Sequence, residues 1–174
     1  MRIQIGMLVL LVLWAPLSHH SIASQPVPNS VLPDSLCAAP EKTVFSCTLK
    51  RSAKLVSLCA SSDFAKERGY LQYRFGLPGK IELEFPGDRS GTQQKFHYSH
   101  YFRAQVDQTE ISFTNAGFEY TVFDRYNGEE KPHVAEQGIS VSAPGKPRET
   151  SQLCAGKAKA DYSPLQDALP NDAP

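Results

Sequence analysis

The sequence predicts an all-β domain, an antiparallel barrel or sandwich of about eight or nine short strands, stapled by two disulfides. Three observations predict it. Apolar and polar residues alternate with a period of two, most clearly in Lys80–Phe85, where Ile81, Leu83 and Phe85 face one way and Glu82 and Glu84 the other. Glycine, proline and asparagine break the chain into runs of about ten residues, with almost no helical periodicity. Four cysteines, Cys37, Cys47, Cys59 and Cys154, stand in a chain that begins like an exported protein.

Residues 1–23 have the layout of a secretory signal: Arg2, the apolar run MLVLLVLWAPL, then Ser21-Ile22-Ala23 at the expected cut. Pro16, His19 and His20 end the apolar run too early for a comfortable membrane span. The mature chain is therefore expected to be periplasmic or secreted, without stable membrane insertion. About 150 residues remain, enough for one domain with its own core. An even cysteine count in an oxidising compartment reads as two bridges. No C-x₂₋₄-C pair is present, which argues against zinc and against a redox motif. A tight turn near Arg51-Ser52 sets Cys47 opposite Val56 or Ser57 rather than Cys59. Of the open connectivities, Cys37–Cys47 with Cys59–Cys154 is favoured, since it ties the last strand to the first hairpin through a long loop.

The elements follow in order. Residues 24–42, with Pro26, Pro28, Pro33 and Pro40, are expected to form an extended leader, mobile up to Cys37, and residues 43–154 the β-domain. Thr43–Leu49 and Lys54–Ala60 make the first hairpin, and a helical turn capped by Ser62 or Asp63 fits the segment before Gly69–Phe75. Leu77-Pro78-Gly79 turns the chain into Lys80–Phe85. Pro86–Gln93 is a polar loop, Gln94–Ala104 and Glu110–Thr114 are strands, and Asn115-Ala116-Gly117 turns into Phe118–Tyr126. A second loop, Asn127–Gln137, precedes a short strand at Ile139 and Val141, and Glu149–Cys154 closes the domain. Residues 155–174 hold few large apolar side chains and are expected to be a disordered tail.

Lys plus Arg and Asp plus Glu balance at 18 each, with no basic run, which disfavours nucleic acid as a partner. No cofactor motif occurs. His97 and His100 lie three apart, on opposite faces of a strand, so they cannot converge on one metal ion without a bulge. G-x-S-x-G is absent. Glu82 and Glu84 could hold carboxylates about 7 Å apart, a glycosidase-like separation, but read better as a solvated strand face. No residue set amounts to a catalytic signature, and a non-enzyme is expected.

The loop tip Asp88-Arg89-Ser90-Gly91-Thr92 is the best candidate binding element. It is small and hydrogen-bonding, and it is flanked by sheet that keeps it preorganised. Tyr98 and Tyr101 on the strand behind it are expected to add contact area. The motifs F-S-C, S-L-C, L-Q-Y-R-F-G, G-K-I-E-L-E-F-P and the closing L-C resemble a group of small exported bacterial β-domain proteins of largely uncharacterised function. More distantly, the chain is similar to the periplasmic lysozyme inhibitors, which insert a Ser-Gly-x-x-Tyr loop into the enzyme's cleft. Ser90-Gly91 matches the start of that loop, and Gln94 stands where its Tyr would be. The resemblance implies an inhibitor or immunity protein that engages a partner enzyme or toxin. The alternative expectation is a small-molecule or lipid carrier with an aromatic-lined barrel.

Overall fold

Ten strands and one short helix make up the described residues, 34–146 and 149–173, of this computed structural model. The expected signal segment over 1–23 and the leader up to residue 33 lie outside them. The strands are β1 Lys42–Thr48, β2 Leu55–Ala60, β3 Leu71–Leu77, β4 Lys80–Phe85, β5 His97–Arg103, β6 Val106–Asn115, β7 Phe118–Asn127, β8 Val134–Ser142, β9 Glu149–Leu153 and β10 Lys159–Ala160. The helix α1 is Ser163–Ala168. The named strands all pair antiparallel, in two sheets: β10-β1-β2-β3-β4 (sheet 1) and β5-β6-β7-β8-β9 (sheet 2). The architecture is a sandwich, not a barrel.

The inward faces meet in an aromatic core. Phe113 of β6 stacks on Phe85 at 4.5 Å between ring centroids and on Tyr120 at 5.0 Å, and it also touches Tyr73 and Phe96. Offset and edge-on pairs of this kind add to the apolar burial that holds the layers together. The alternation that predicted β4 holds for Leu83 and Phe85, which pack on the core, but Ile81 is 46% exposed. A register shift after Phe75 accounts for it. Gly76, at φ +147°, brings the backbone so close to Lys80 that an added Cβ would lie 2.4 Å from its carbonyl oxygen.

The bridges are Cys37–Cys59 and Cys47–Cys154, not the expected pairing. Side-chain parity is the reason. Cys47 stands opposite Val56, as the tight turn required, and joins the core face, whereas Cys59, three residues beyond Val56, points to the outer face of sheet 1. Sheet 2 packs on the core face only, so the chain leaving β9 reaches Cys47. There Lys50 N–H donates to the Leu153 carbonyl and Ala155 N–H to that of Thr48, at 2.7 and 2.8 Å.

Two further expectations change. The segment expected as a disordered tail is ordered over the described residues. β10 pairs with β1, and Leu165, Ala168 and Leu169, spaced to fall on one helical face, are buried in the core. The leader is tied down from Asp34 onward, because it covers the outer face of sheet 1. Leu36 N–H donates to Ser57 Oγ (3.0 Å), Ser46 Oγ donates to the Asp34 carbonyl (2.8 Å), and Cys37 is bridged to Cys59. That cover explains why every residue of β2 is buried. The segment before β3 forms turns instead of the helical turn, and Gly69 (φ +71°) lies too close to Ser61 and Phe64 for any side chain.

Candidate functional site

The loop between β4 and β5 divides into a tip and an anchor. Asp88, Ser90 and Gly91 are exposed, and the Asp88 carboxylate accepts the Ser90 hydroxyl and N–H at 2.7 and 3.0 Å. These two bonds hold the Asp88 carboxyl below its usual range. Gly91 takes the left-handed conformation (φ 58°) that starts a short 3₁₀ turn, Thr92–Lys95. Thr92 is fully buried, and its Oγ1 accepts Leu71 N–H at 2.8 Å. Arg89 lies with its guanidinium 4.5 Å over the Tyr70 ring and donates to Gln72 Oε1 at 3.2 Å. Thr92 and Arg89 therefore fix the loop to β3, and the surface it offers is the Asp88, Ser90 and Gly91 tip, beside which Arg89 is also exposed.

Tyr98 and Tyr101 do not join that surface. Tyr98 is 2% exposed and points into the core, so it cannot serve as a contact residue; burial also raises its pKa. Tyr101 is half-buried on the opposite face of β5, four residues from the loop end of the strand, or roughly 13 Å along it. The two tyrosines differ in parity, so one face of the strand cannot present both. His97 and His100 are on opposite faces as their spacing required, His97 against Asp172 (3.3 Å) and His100 against Asp107 (3.0 Å). Glu82 pairs with Lys54 and Glu84 with Arg74, at 2.6 and 2.8 Å, so the β4 carboxylates are partnered rather than merely solvated. Cys37, Cys59 and Glu41 lie close together, but the sulfurs are spent on each other in a disulfide.

Under the leader, Arg74 is 3% exposed and uses all five of its N–H donors. They reach Glu41 twice (2.5 and 2.8 Å), Glu84 Oε2 (2.8 Å), the Leu36 carbonyl (3.1 Å) and Gln72 Oε1 (2.8 Å). A buried guanidinium persists only with such complete pairing. Burial pushes the Glu41 carboxyl up, while the bonds from Arg74, Ala38 N–H and the Tyr70 hydroxyl more than offset it, so its pKa lies below the usual carboxylate value.

A different feature has the shape of a site. Across sheet 2, the register sets Phe113, Tyr120 and Val141 in one inward row, then Tyr98, Ile111, Val122 and Ile139 in the next. Beyond them the inward rows turn polar: His100, Thr109, Asp124 and Gln137, then Phe102, Asp107, Tyr126 and Ala135. β6 and β7 have 10 residues each, against 6 or 7 in β1–β4, and the outermost of these rows is left exposed at Phe102, Asp107 and Tyr126, so this end of sheet 2 projects beyond sheet 1. The segment from Ala160 to Gln166 walls one side of the overhang and leaves a cleft of about 450 Å³. Gln137 anchors that wall: its Oε1 accepts Ala158 N–H (2.7 Å), and its Nε2 donates to Asp124 Oδ2 (2.8 Å). The Tyr162 hydroxyl donates to the same oxygen at 3.1 Å, and burial, followed by the Asp124 charge, raises its pKa. At the rim, Phe102 is 71% and Tyr126 41% exposed. The second loop lies beside them, joined to the β5–β6 turn by an ion pair between Arg103 and Glu129 and by Gly128 N–H on the Gln105 carbonyl (2.7 Å).

Sequence reasoning passed over Asp107, Thr109, Asp124, Tyr126 and Tyr162. The signal that could have found the first four is the continuation of an inward alternation, 113-111-109-107 and 120-122-124-126, past the point where it stops being apolar, whereas nothing in the sequence marks Tyr162. The overhang is what lets those inward positions be polar, since no facing sheet buries them. No family model, curated protein or solved structure matches the chain.

Proposed function

We propose that this chain is an exported, non-enzymatic protein-binding module of the inhibitor or immunity type, acting in the periplasm or outside the cell. Its two disulfides fit an oxidising compartment. Among the described residues no helix is long and apolar enough to cross a membrane. The observation that carries the reading is the placement of Phe102 and Tyr126, two large side chains left exposed on either side of Asp107 in one inward row of a hydrogen-bonded sheet. Exposed aromatics on a rigid frame beside a concavity are what a protein partner's hot spots require. The Asp88, Ser90 and Gly91 tip, which resembles the inserted loop of lysozyme inhibitors, is a second contact in this reading. The test is affinity capture from periplasmic extract and from culture medium, with each captured protein identified, purified and titrated against wild type and Phe102→Ala. One stoichiometric partner whose affinity falls at least tenfold with Phe102→Ala supports the reading; no saturable protein partner from either source refutes it.

One observation favours a carrier as the second reading. A slot of about 300 Å³ opens between the sheets, lined by Phe75, Leu83, Tyr120, Ile139 and Val141. Native mass spectrometry of undenatured material decides it: a co-purifying lipid displaced by Val141→Trp supports a carrier, and a bare polypeptide mass removes it.

A further inference from the structure

We propose that the cleft on the overhang of sheet 2 receives an arginine side chain presented by the partner protein; this rests on the protein-binding reading and names the chemistry of its central contact. The cleft has the volume of a small-ligand site and a rigid floor. Among the described residues, Asp107, Asp124 and Asp161 line it and no lysine or arginine does. Asp107 meets only the imidazole of His100 (3.0 Å), and Asp124 accepts from two neutral donors, Tyr162 and Gln137. Asp161 accepts the Ser163 hydroxyl and N–H at 2.7 and 3.1 Å, and Lys42 acts on it through space. The local charge is therefore negative and only partly compensated, in a chain whose overall charge is balanced.

Donor spacing selects the occupant. Among the described residues, the one set of three ligand groups close enough to share an ion is Cys37, Glu41 and Cys59, on the other sheet and already disulfide-bonded. The cleft carboxylates are spread too widely for a metal ion. A guanidinium suits them, with five donors fanned in a plane, weak hydration and a flat face for stacking. The rim supplies the stacking partners: Phe102 and Tyr126 stand in the same inward row as Asp107, one on each neighbouring strand. Tyr126 is held ready, its ring edge-on to His133 at 6.3 Å and Gly128 too close beneath it to carry a side chain. An ammonium would gain the charge contacts but not the planar stack.

The test is a titration of the ¹⁵N-labelled mature chain, followed by amide chemical shifts, with acetyl-Gly-Arg-Gly-amide, its citrulline and lysine counterparts, and spermidine. Saturable shifts confined to His100, Asp107, Asp124 and Tyr126, with the citrulline peptide at least tenfold weaker and lysine and spermidine weaker than arginine, are expected. Asp107→Asn should weaken the arginine peptide at least fivefold with an unchanged melting temperature, since Asp107 is exposed. Equal response to citrulline or spermidine, or shifts elsewhere only, overturns the assignment. The two levels separate cleanly. A partner that needs Phe102 while arginine peptides leave the cleft silent sinks this inference and spares the binding reading. Arginine binding in the cleft with no protein partner in either source sinks the reading and leaves the receptor.

Discussion

Replacing Arg74 with Met isolates the electrostatic brace beneath the leader. Wild-type Arg74 is 3% exposed and makes five donor contacts, and the Glu41 side chain it grips is also 3% exposed. With the guanidinium gone, Glu41 keeps only Ala38 N–H (2.7 Å) and the Tyr70 hydroxyl (2.8 Å) against a buried negative charge. Stripping one member from a buried pair costs about 3–5 kcal/mol, a large part of the ~5–15 kcal/mol that holds a domain together. Arg74→Met with Glu41→Leu should recover most of that loss, because neither charge is left alone. The only tryptophan is Trp14, in the expected signal, so urea unfolding is best followed by far-ultraviolet circular dichroism on the mature chain. The pH dependence carries a sign. In wild type the folded pKa of Glu41 lies below its ordinary 4.5, so its contribution is complete above that value and is lost as pH falls through the folded pKa. In Arg74→Met, burial acts on Glu41 without its main offset, so the folded pKa rises and the variant should regain stability on acidification towards pH 5. A single variant within about 1 kcal/mol of wild type, or a double variant no better than the single, would refute the reasoning.

The remaining expectations concern the scaffold. Cys47→Ala with Cys154→Ala opens a separation of 107 residues and should cost about 5 kcal/mol, whereas Cys37→Ala with Cys59→Ala opens 22 and should cost about 3 kcal/mol, both read from urea midpoints. Leu165→Ala, at a fully buried position, should cost about 2–5 kcal/mol; a loss under 0.5 kcal/mol would return the C-terminal segment to the status of a loose tail. Thr92→Val strands the buried Leu71 N–H and should lose about 1–3 kcal/mol, while Ser90→Ala at the exposed tip should stay within about 0.5 kcal/mol by thermal melts.

Alternation carried the fold class because each sheet has one face against the other, which writes a period of two into β6 and the second half of β4. It failed where that condition failed. β2 is buried on both faces, so its polar residues, such as Ser57, are internal and bonded rather than solvated. The disulfide pairing needed knowledge of which face the closing strand approaches, and no spacing along the chain contains that. The C-terminal segment looked structureless because its core contact rests on three modest residues, Leu165, Ala168 and Leu169, whose spacing matters more than their bulk.

The candidate site was hidden for a related physical reason. A polar residue on an inward position ordinarily signals the end of a strand, and the strands expected from the sequence stop at Ala104 and resume at Glu110, on either side of Val106-Asp107-Gln108-Thr109. Here β6 runs on through those residues, because sheet 1 ends first and water, not a facing layer, meets Asp107. The mismatch in strand length thus leaves these inward positions polar and opens the cleft. Shortening it would be informative: a β6–β7 pair trimmed by one cross-strand row should leave the Phe113 core intact and abolish whatever the Phe102 rim binds. A trimmed protein that folds normally and retains its partner's affinity would show that the overhang is structural padding and would direct the search to the Asp88, Ser90 and Gly91 tip.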